Sequence, residues 1–246
     1  MPATRRVVLV TGAARRVGAA IARRLHADGH DLALHYRASA ADMRALADEL
    51  EAARTGSTLV LQADLAAFDR LPELVAKTVG RFGRLDALVN NASAFYPTPP
   101  GAATPAQWED LFAVNARAPF FLSQAAAPHL RAARGAIVNL ADVYAERPRA
   151  DLAVYAASKA ALLAVSRGLA VSLAPEVRVN AVSPGAILWP DAGIDPAVQA
   201  DLLAHTPLGR VGEPDDIAAT VAWLLGDAAG YVTGQVIHVD GGRALG

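Results

Sequence analysis

The sequence contains no cysteine. That absence excludes a disulfide framework, a thiolate metal site and a cysteine nucleophile. An excess of either charge is missing too: 23 basic side chains face 24 acidic ones, so no basic field for nucleic acid is present. Arg15, Arg16, Arg23 and Arg24 cluster locally, which suits one phosphate ligand better than a polymer. The six histidines are scattered without metal-ligand spacing, so no metal is expected. Long hydrophobic runs are absent as well. Val7-Val8-Leu9-Val10 lies between two arginine pairs and is too short for the apolar part of a signal peptide. No segment reads as long enough to span a bilayer, and a cytoplasmic protein is the expectation.

What is present is a hydrophobic share of 53% in 246 residues, enough for a globular core in one large domain or two small ones. Short apolar runs recur at Val7–Val10, Leu32–His35, Thr58–Leu61, Ala87–Val89, Ala136–Leu140, Val177–Val182 and Val236–Val239. They read as strands buried on both faces, as a parallel sheet requires. Helical patterns fill the gaps at Ala19–Ala27, Ala40–Ala53, Leu71–Phe82, Gln107–Asn115, Pro119–Ala132, Val154–Leu173 and Ile217–Leu225. The alternation predicts an α/β fold, a doubly wound sheet with helices on both faces. No linker divides it, so residues 1–246 are read as one domain. Two irregular stretches follow strands, Tyr96–Pro105 and Ser183–Pro214. Ligands in open α/β sheets bind beyond the carboxyl ends of strands, so the second stretch is read as the substrate loop.

Gly12 and Gly18 bracket the turn after the first strand. Missing side chains there let the backbone approach a pyrophosphate at a helix N-terminus. The spacing is not G-x-G-x-x-G, and a glycine pair alone is a weak signal. After the second strand, an NAD site places an acidic residue for the ribose hydroxyl. Here the chain reads His35-Tyr36-Arg37-Ala38-Ser39 instead. His35, Arg37 and Ser39 form a cationic and polar cradle for a 2′-phosphate, which the planar fork of arginine suits. NADPH is therefore the expected cofactor. Asp64 follows the third strand and either accepts from an adenine amino group or simply caps a helix.

Tyr155 and Lys159 stand four apart on a predicted helix, which puts a phenol and an ammonium on one face. A unit charge ~4 Å away, at an effective dielectric of ~20, is worth about 4 kcal/mol. That would draw a phenol pKa from ~10 toward ~7.

In combination, Thr11-Gly12, Asn90-Asn91-Ala92, Asn115, Tyr155-x-x-x-Lys159, Ser183-Pro184-Gly185 and Asp240-Gly241-Gly242 resemble the short-chain dehydrogenase/reductase family, in its order and over nearly the whole chain. The resemblance implies a Rossmann-type sheet of seven parallel strands, nicotinamide-dependent hydride transfer and a homotetramer. Two departures stand out. Arg16 replaces a glycine of the usual turn, and Asp142 replaces the usual catalytic serine thirteen residues before Tyr155. Both resemble the pteridine reductase subgroup, as does Asn91-Ala92-Ser93-Ala94-Phe95-Tyr96-Pro97. The stretch from Asp142 to Leu162 is similar to the bacterial dihydromonapterin reductases.

The resemblance implies a catalytic set of Asn115, Asp142, Tyr155 and Lys159, with Tyr155 as proton donor and Asn115 holding a relay water and a helix bend. It places Gly12, Arg15, Arg16, Val17, Gly18, His35, Tyr36, Arg37, Ser39, Asp64, Leu65, Asn91, Ala92, Ser93, Tyr155, Lys159, Pro184 and Gly185 against the cofactor. Arg16, Ser93, Phe95, Asp142, Tyr155, Leu188 and Trp189 would meet a flat pterin, with Phe95 stacked on its face. Asp142 would oppose the lysine and keep the phenol protonated, or be neutral and itself donate. Arg243, just past Asp240-Gly241-Gly242, is placed near an active site, its own or that of a neighbouring copy. The expected activity is NADPH-dependent reduction of a dihydropterin, with oxidised pterins or dihydrofolate as further substrates. The rivals are a general carbonyl or 3-oxoacyl reductase, against which only Arg16, Ser93, Phe95 and Asp142 speak, and a non-catalytic NADPH-sensing regulator, against which the intact proton-relay set speaks.

Overall fold

In the computed structural model, which describes residues 5–188 and 195–245, seven parallel strands form one sheet. They are β1 (Val7–Val10), β2 (Asp31–Tyr36), β3 (Thr58–Gln62), β4 (Ala87–Asn90), β5 (Ala136–Leu140), β6 (Arg178–Pro184) and β7 (Val236–Val239). Their order in space is β3-β2-β1-β4-β5-β6-β7, the doubly wound arrangement predicted. The apolar runs are strands because both faces are covered. Val8 and Val10 pack into one hydrophobic cluster with Ile21, Leu25, Leu46 and Val221. Val7 and Leu9 point the other way, to Leu74, Leu122, Leu130 and Leu173. Alternate side chains of a strand serve opposite faces, so one four-residue run feeds both cores.

The helices are α1 (Arg16–Ala27), α2 (Ala40–Ala53), α3 (Leu71–Phe82), α4 (Pro105–Phe112), α5 (Ala118–Ala133), α6 (Ala153–Leu173), α7 (Pro196–Ala204) and α8 (Pro214–Leu225). Helices α1, α2 and α8 cover one face, while α3, α5 and α6 cover the other. The strand order reverses between β1 and β4, which pair directly and in parallel. Chain leaving their carboxyl ends diverges there and opens a crevice.

Three expectations need correction. Helix α6 has 21 residues and is apolar and long enough to cross a membrane by length and composition. Half of it is buried inside the protein against β6 and α5, so it is a core helix. Residues 183–214 are not wholly irregular, because Asp195 caps a helix over Pro196–Ala204 by accepting from the Ala197 N–H at 2.8 Å. None of the α7 residues is fully buried, so α7 shows no apolar stripe to reveal it. The helix predicted over Gln107–Asn115 ends at Phe112 and continues as one wider turn, Ala113–Arg117, whose Ala118 N–H bonds five residues back to Ala113. Such widened turns mark functional positions, and Asn115 sits inside this one.

Candidate active site

The crevice is a cavity of about 700 Å³. Its floor is the turn after β1. Gly12 has φ +63°, and a Cβ there would lie 2.9 Å from Ala92 Cα. A Cβ on Gly18 would strike the Gly12 carbonyl oxygen and stand 2.7 Å from Asn91 Nδ2. Asn91 locks the turn from above: its Nδ2 donates to the Thr11 and Gly12 carbonyls, each at 2.9 Å. Thr11 Oγ1 in turn accepts from the Asn91 and Ala92 N–H groups. Backbone is thus brought close to the cavity and held there, the form that suits a pyrophosphate. Arg15, Arg16, Val17, His35, Tyr36, Arg37, Ser39, Asp64, Leu65, Ser93 and Phe95 line the cavity together with the two glycines, Asn91 and Ala92. No carboxylate lies on the β2 stretch from Leu32 to Ser39. Asp64 Oδ1 accepts from the Ala66 N–H at 2.9 Å, so the local cap is made. Pro184 and Gly185 end β6 and are not among the lining residues; the close neighbour of Gly185 is Asp240. Leu188 has φ +61° and donates its N–H to the Gly212 carbonyl, while Trp189 lies outside the described residues.

His35 is not part of a cationic cradle. It is 2% exposed, and burial lowers its pKa, against weaker upward pulls from its bond to Ala63 and from Asp64. Its Nδ1 accepts from the Gly12 N–H at 3.2 Å and its Nε2 faces the Ala63 carbonyl at 3.1 Å. One acceptor and one donor define a neutral ring that braces the glycine turn. Replacing His35 by Phe should strand both buried partners at about 1–3 kcal/mol and lower the melting temperature by ~2–4 °C per kcal/mol. The pH dependence has a fixed sign. The pKa values of His26, His30 and His35 are all lowered from 6.5 by burial. The unfolded chain therefore binds these protons first, and stability present above pH ~6.5 is lost as pH falls below it. Thermal melts from pH 8 to 5 check this. His35→Phe should flatten the acid limb, and an unchanged slope would show that His35 does not contribute.

Arg16 opens α1 with φ +51°, the left-handed region that glycine occupies freely. A non-glycine residue is strained there by ~1–2 kcal/mol. Its Nη2 donates to the Ile187 carbonyl at 3.3 Å, which ties the turn to the segment after β6. Arg16→Gly should raise the melting temperature by a few degrees while weakening cofactor binding, as calorimetry and cofactor titration would read.

Four predicted catalytic residues converge. Asp142 caps the turn after β5, its Oδ1 accepting from the Tyr144 N–H at 2.9 Å. The Tyr155 hydroxyl donates to Asp142 Oδ2 at 2.8 Å. Lys159 is 2% exposed, and its Nζ donates to the Leu140 carbonyl at 2.8 Å. Asn115 is 0% exposed. Its Nδ2 donates to Ala94 O at 2.9 Å and Ser158 Oγ at 3.0 Å, and its Oδ1 accepts from Ser93 Oγ and the Ala94 N–H. Both amide protons are committed, so the side chain rivets residues 93–94 to α6. The Phe95 ring meets Tyr155 edge-on, with centroids 4.7 Å apart at 88°, which joins the cavity to the proton-bearing group.

The expected acidification of Tyr155 does not occur. Burial, then the charge and hydrogen bond of Asp142, push its pKa well above 10. Lys159 stands 5.9 Å from the ring centroid, and complete burial lowers its own pKa to about 8 against the upward pull of Asp142. Burial also raises Asp142, against hydrogen bonds from Tyr144 and Tyr155 and the charges of Lys159 and Arg243. Three coupled groups thus hold a protonated phenol.

Sequence reasoning missed Ser158 and Tyr144. Ser158 lies three residues past Tyr155 on the same helix, and its hydroxyl donates to the Tyr155 carbonyl; that spacing was the available signal. Tyr144 lies two residues past Asp142 and packs with Leu111, Leu152, Val154 and Tyr155. A second cavity, of about 390 Å³, lies at the opposite ends of the strands around Arg6, Asp86 and Arg178. Arg6 pairs there with Asp227 at 2.6 Å and Asp86 with Arg84, and Arg178 donates to the Leu224 and Gly226 carbonyls.

Comparison with known proteins agrees with this geometry. A family model described as Enoyl-(Acyl carrier protein) reductase matches residues 12–244. An uncharacterised oxidoreductase of Methylorubrum extorquens is 40% identical over 96% of this chain and 97% of its own. Pteridine reductase 1 of Leishmania tarentolae is 37% identical over 97% of this chain and 96% of its own. A 3-oxoacyl-(acyl-carrier-protein) reductase of Staphylococcus aureus is also 37% identical, over 96% of this chain and 97% of its own. With the sheet order, the glycine turn and the Tyr155–Lys159 pair in place, the chain belongs to the short-chain dehydrogenase/reductase family of oxidoreductases, whose members use a nicotinamide dinucleotide.

Proposed function

We propose that this protein is an NADPH-dependent pteridine reductase that converts a dihydropterin to the tetrahydropterin. The observation that carries the reading is the hydrogen bond from Tyr155 to a buried carboxylate, Asp142. Reducing a ring C=N requires a hydride at carbon and a proton at nitrogen. The bound nicotinamide supplies the hydride. Tyr155 supplies the proton, and a phenol whose pKa is held up by burial and Asp142 remains protonated across the working pH range. The Lys159 ammonium lies beneath it to stabilise the phenolate left behind. Asp142, whose pKa burial pulls upward, can then take a proton from water and pass it to the phenolate.

Arg37, exposed beside Tyr36 and Ser39 at the cavity wall, is the group assigned to the 2′-phosphate. Arg15 and Arg16 flank the same cavity. Phe95 is 54% exposed, an apolar ring left open above Tyr155 for a flat heterocycle. Offset aromatic pairs add ~0.5–1.5 kcal/mol, so Phe95→Ala should raise the KM for a dihydropterin roughly 2–10-fold. Cytoplasmic location and a homotetramer belong to the same proposal. Exposed Trp108, Phe120, Val171, Trp223 and Tyr231 would supply apolar contact between copies.

A 3-oxoacyl or general carbonyl reductase is the second reading. It is favoured by the S. aureus relative, which is as similar as the Leishmania enzyme. The deciding experiment follows NADPH oxidation with dihydrobiopterin, dihydromonapterin, dihydrofolate and a ketone ester in parallel. Turnover of dihydropterins with the ester inert supports the proposal; turnover of the ester alone overturns it in favour of the second reading.

A further inference from the structure

A cation close enough to lower the pKa of the catalytic carboxylate stands beside it without a direct ion pair. Arg243 makes no ion pair among the described residues. Its Nη2 donates to the Tyr144 hydroxyl at 3.4 Å, and its guanidinium lies 5.8 Å from the centroid of the Tyr144 ring. Arg149 stands the same distance from that ring, but Asp151 neutralises it through Arg149 Nη2 to Oδ2 at 2.8 Å.

The turn that carries Arg243 is fixed rather than loose. Asp240 accepts from the Gly242 N–H at 2.9 Å and from the Ala244 N–H at 2.7 Å. Gly241 and Gly242 have φ +65° and +86°. A Cβ on either would lie 2.8 Å from Thr206 Cγ2 or 2.9 Å from Pro207 Cγ, so the turn is wedged against the end of the 183–214 loop. Tyr144, the partner of Arg243, donates its N–H to Asp142 and packs against the Tyr155 cluster. A guanidinium held one residue away from the proton pair, in no ion pair among the described residues, has donors left for charge on whatever enters. Arginine offers that charge paired, directional donors.

We propose that Arg243 and Tyr144 form an anion subsite at the mouth of the active site, which takes a carboxylate or phosphate on the tail of the substrate. The proposal rests on the pteridine reading for the ring, but not for the charge.

The test is a ratio of kcat/KM values, dihydrofolate, whose tail ends in carboxylates, over dihydrobiopterin, whose tail is neutral. Arg243→Gln should lower that ratio at least tenfold, and Arg243→Lys should retain most of it. A ratio unchanged by Arg243→Gln, whether both substrates slow together or neither does, overturns the subsite. A phosphorylated pterin compared with its neutral parent separates phosphate from carboxylate as the preferred anion. Should the enzyme reduce no pterin, the proposed function fails. The subsite is then judged on 5-oxohexanoate against its ethyl ester, by turnover and by quenching of tryptophan fluorescence on binding. Loss of the acid's advantage in Arg243→Gln supports the subsite there too, and an unchanged advantage overturns it.

Discussion

Tyr155→Phe is expected to lower kcat by ~10²–10⁴-fold, the range that positioned general acids supply, with cofactor affinity nearly unchanged. The reason is specific to this site. The hydroxyl donates to Asp142 at 2.8 Å and also meets the Ser93 side chain, while the phenyl ring that remains keeps its edge contact with Phe95. Removing the oxygen deletes the proton and little of the packing. Asp142 then loses a donor while staying buried, so its pKa moves further up. Single-turnover kinetics with saturating cofactor would measure the chemical step. A loss below about tenfold would mean that the proton arrives by another route, such as a carboxyl at Asp142.

The next largest effect is expected from Asp142→Ser. A hydrogen bond to a charged group contributes ~1.5–3 kcal/mol, so dihydropterin reduction should slow by roughly 10–100-fold. The pH profile carries more information than the rate. Asp142 raises the pKa of both Tyr155 and Lys159. Without that charge both pKa values fall, and the ammonium, already near about 8, is the first to deprotonate. The descending limb of kcat/KM against pH should therefore move to lower pH. Superimposable profiles at similar rates would refute any role for the carboxylate.

Strands such as Val7–Val10, Ala136–Leu140 and Val236–Val239 were legible residue for residue, because each is a short apolar run bounded by polar or turn-forming neighbours. The glycine turn, Asn91, Tyr155 and Lys159 were legible because their chemistry demands fixed spacing. Burial was not. His35 read as a cation because its residue type suggests one, whereas its position inside β2 makes it a neutral brace. The direction of the Tyr155 shift failed for the same reason: a lysine four residues away can be counted in a sequence, but the desolvation that outweighs it cannot. Helix α7 escaped because an exposed helix needs no periodic apolar face. The strain at Arg16 was visible only as a missing glycine.

Asn115 constrains what evolution can do at this site. Two donors and one doubly accepting oxygen are all in use. Aspartate lacks the donors, glutamine is a methylene too long, and serine or threonine brings a single proton. No one-step replacement preserves the rivet, so the backbone of residues 93–94 is frozen while the side chains beyond it are free to drift. A lineage can thus exchange one substrate for another by repainting a rail that it cannot bend.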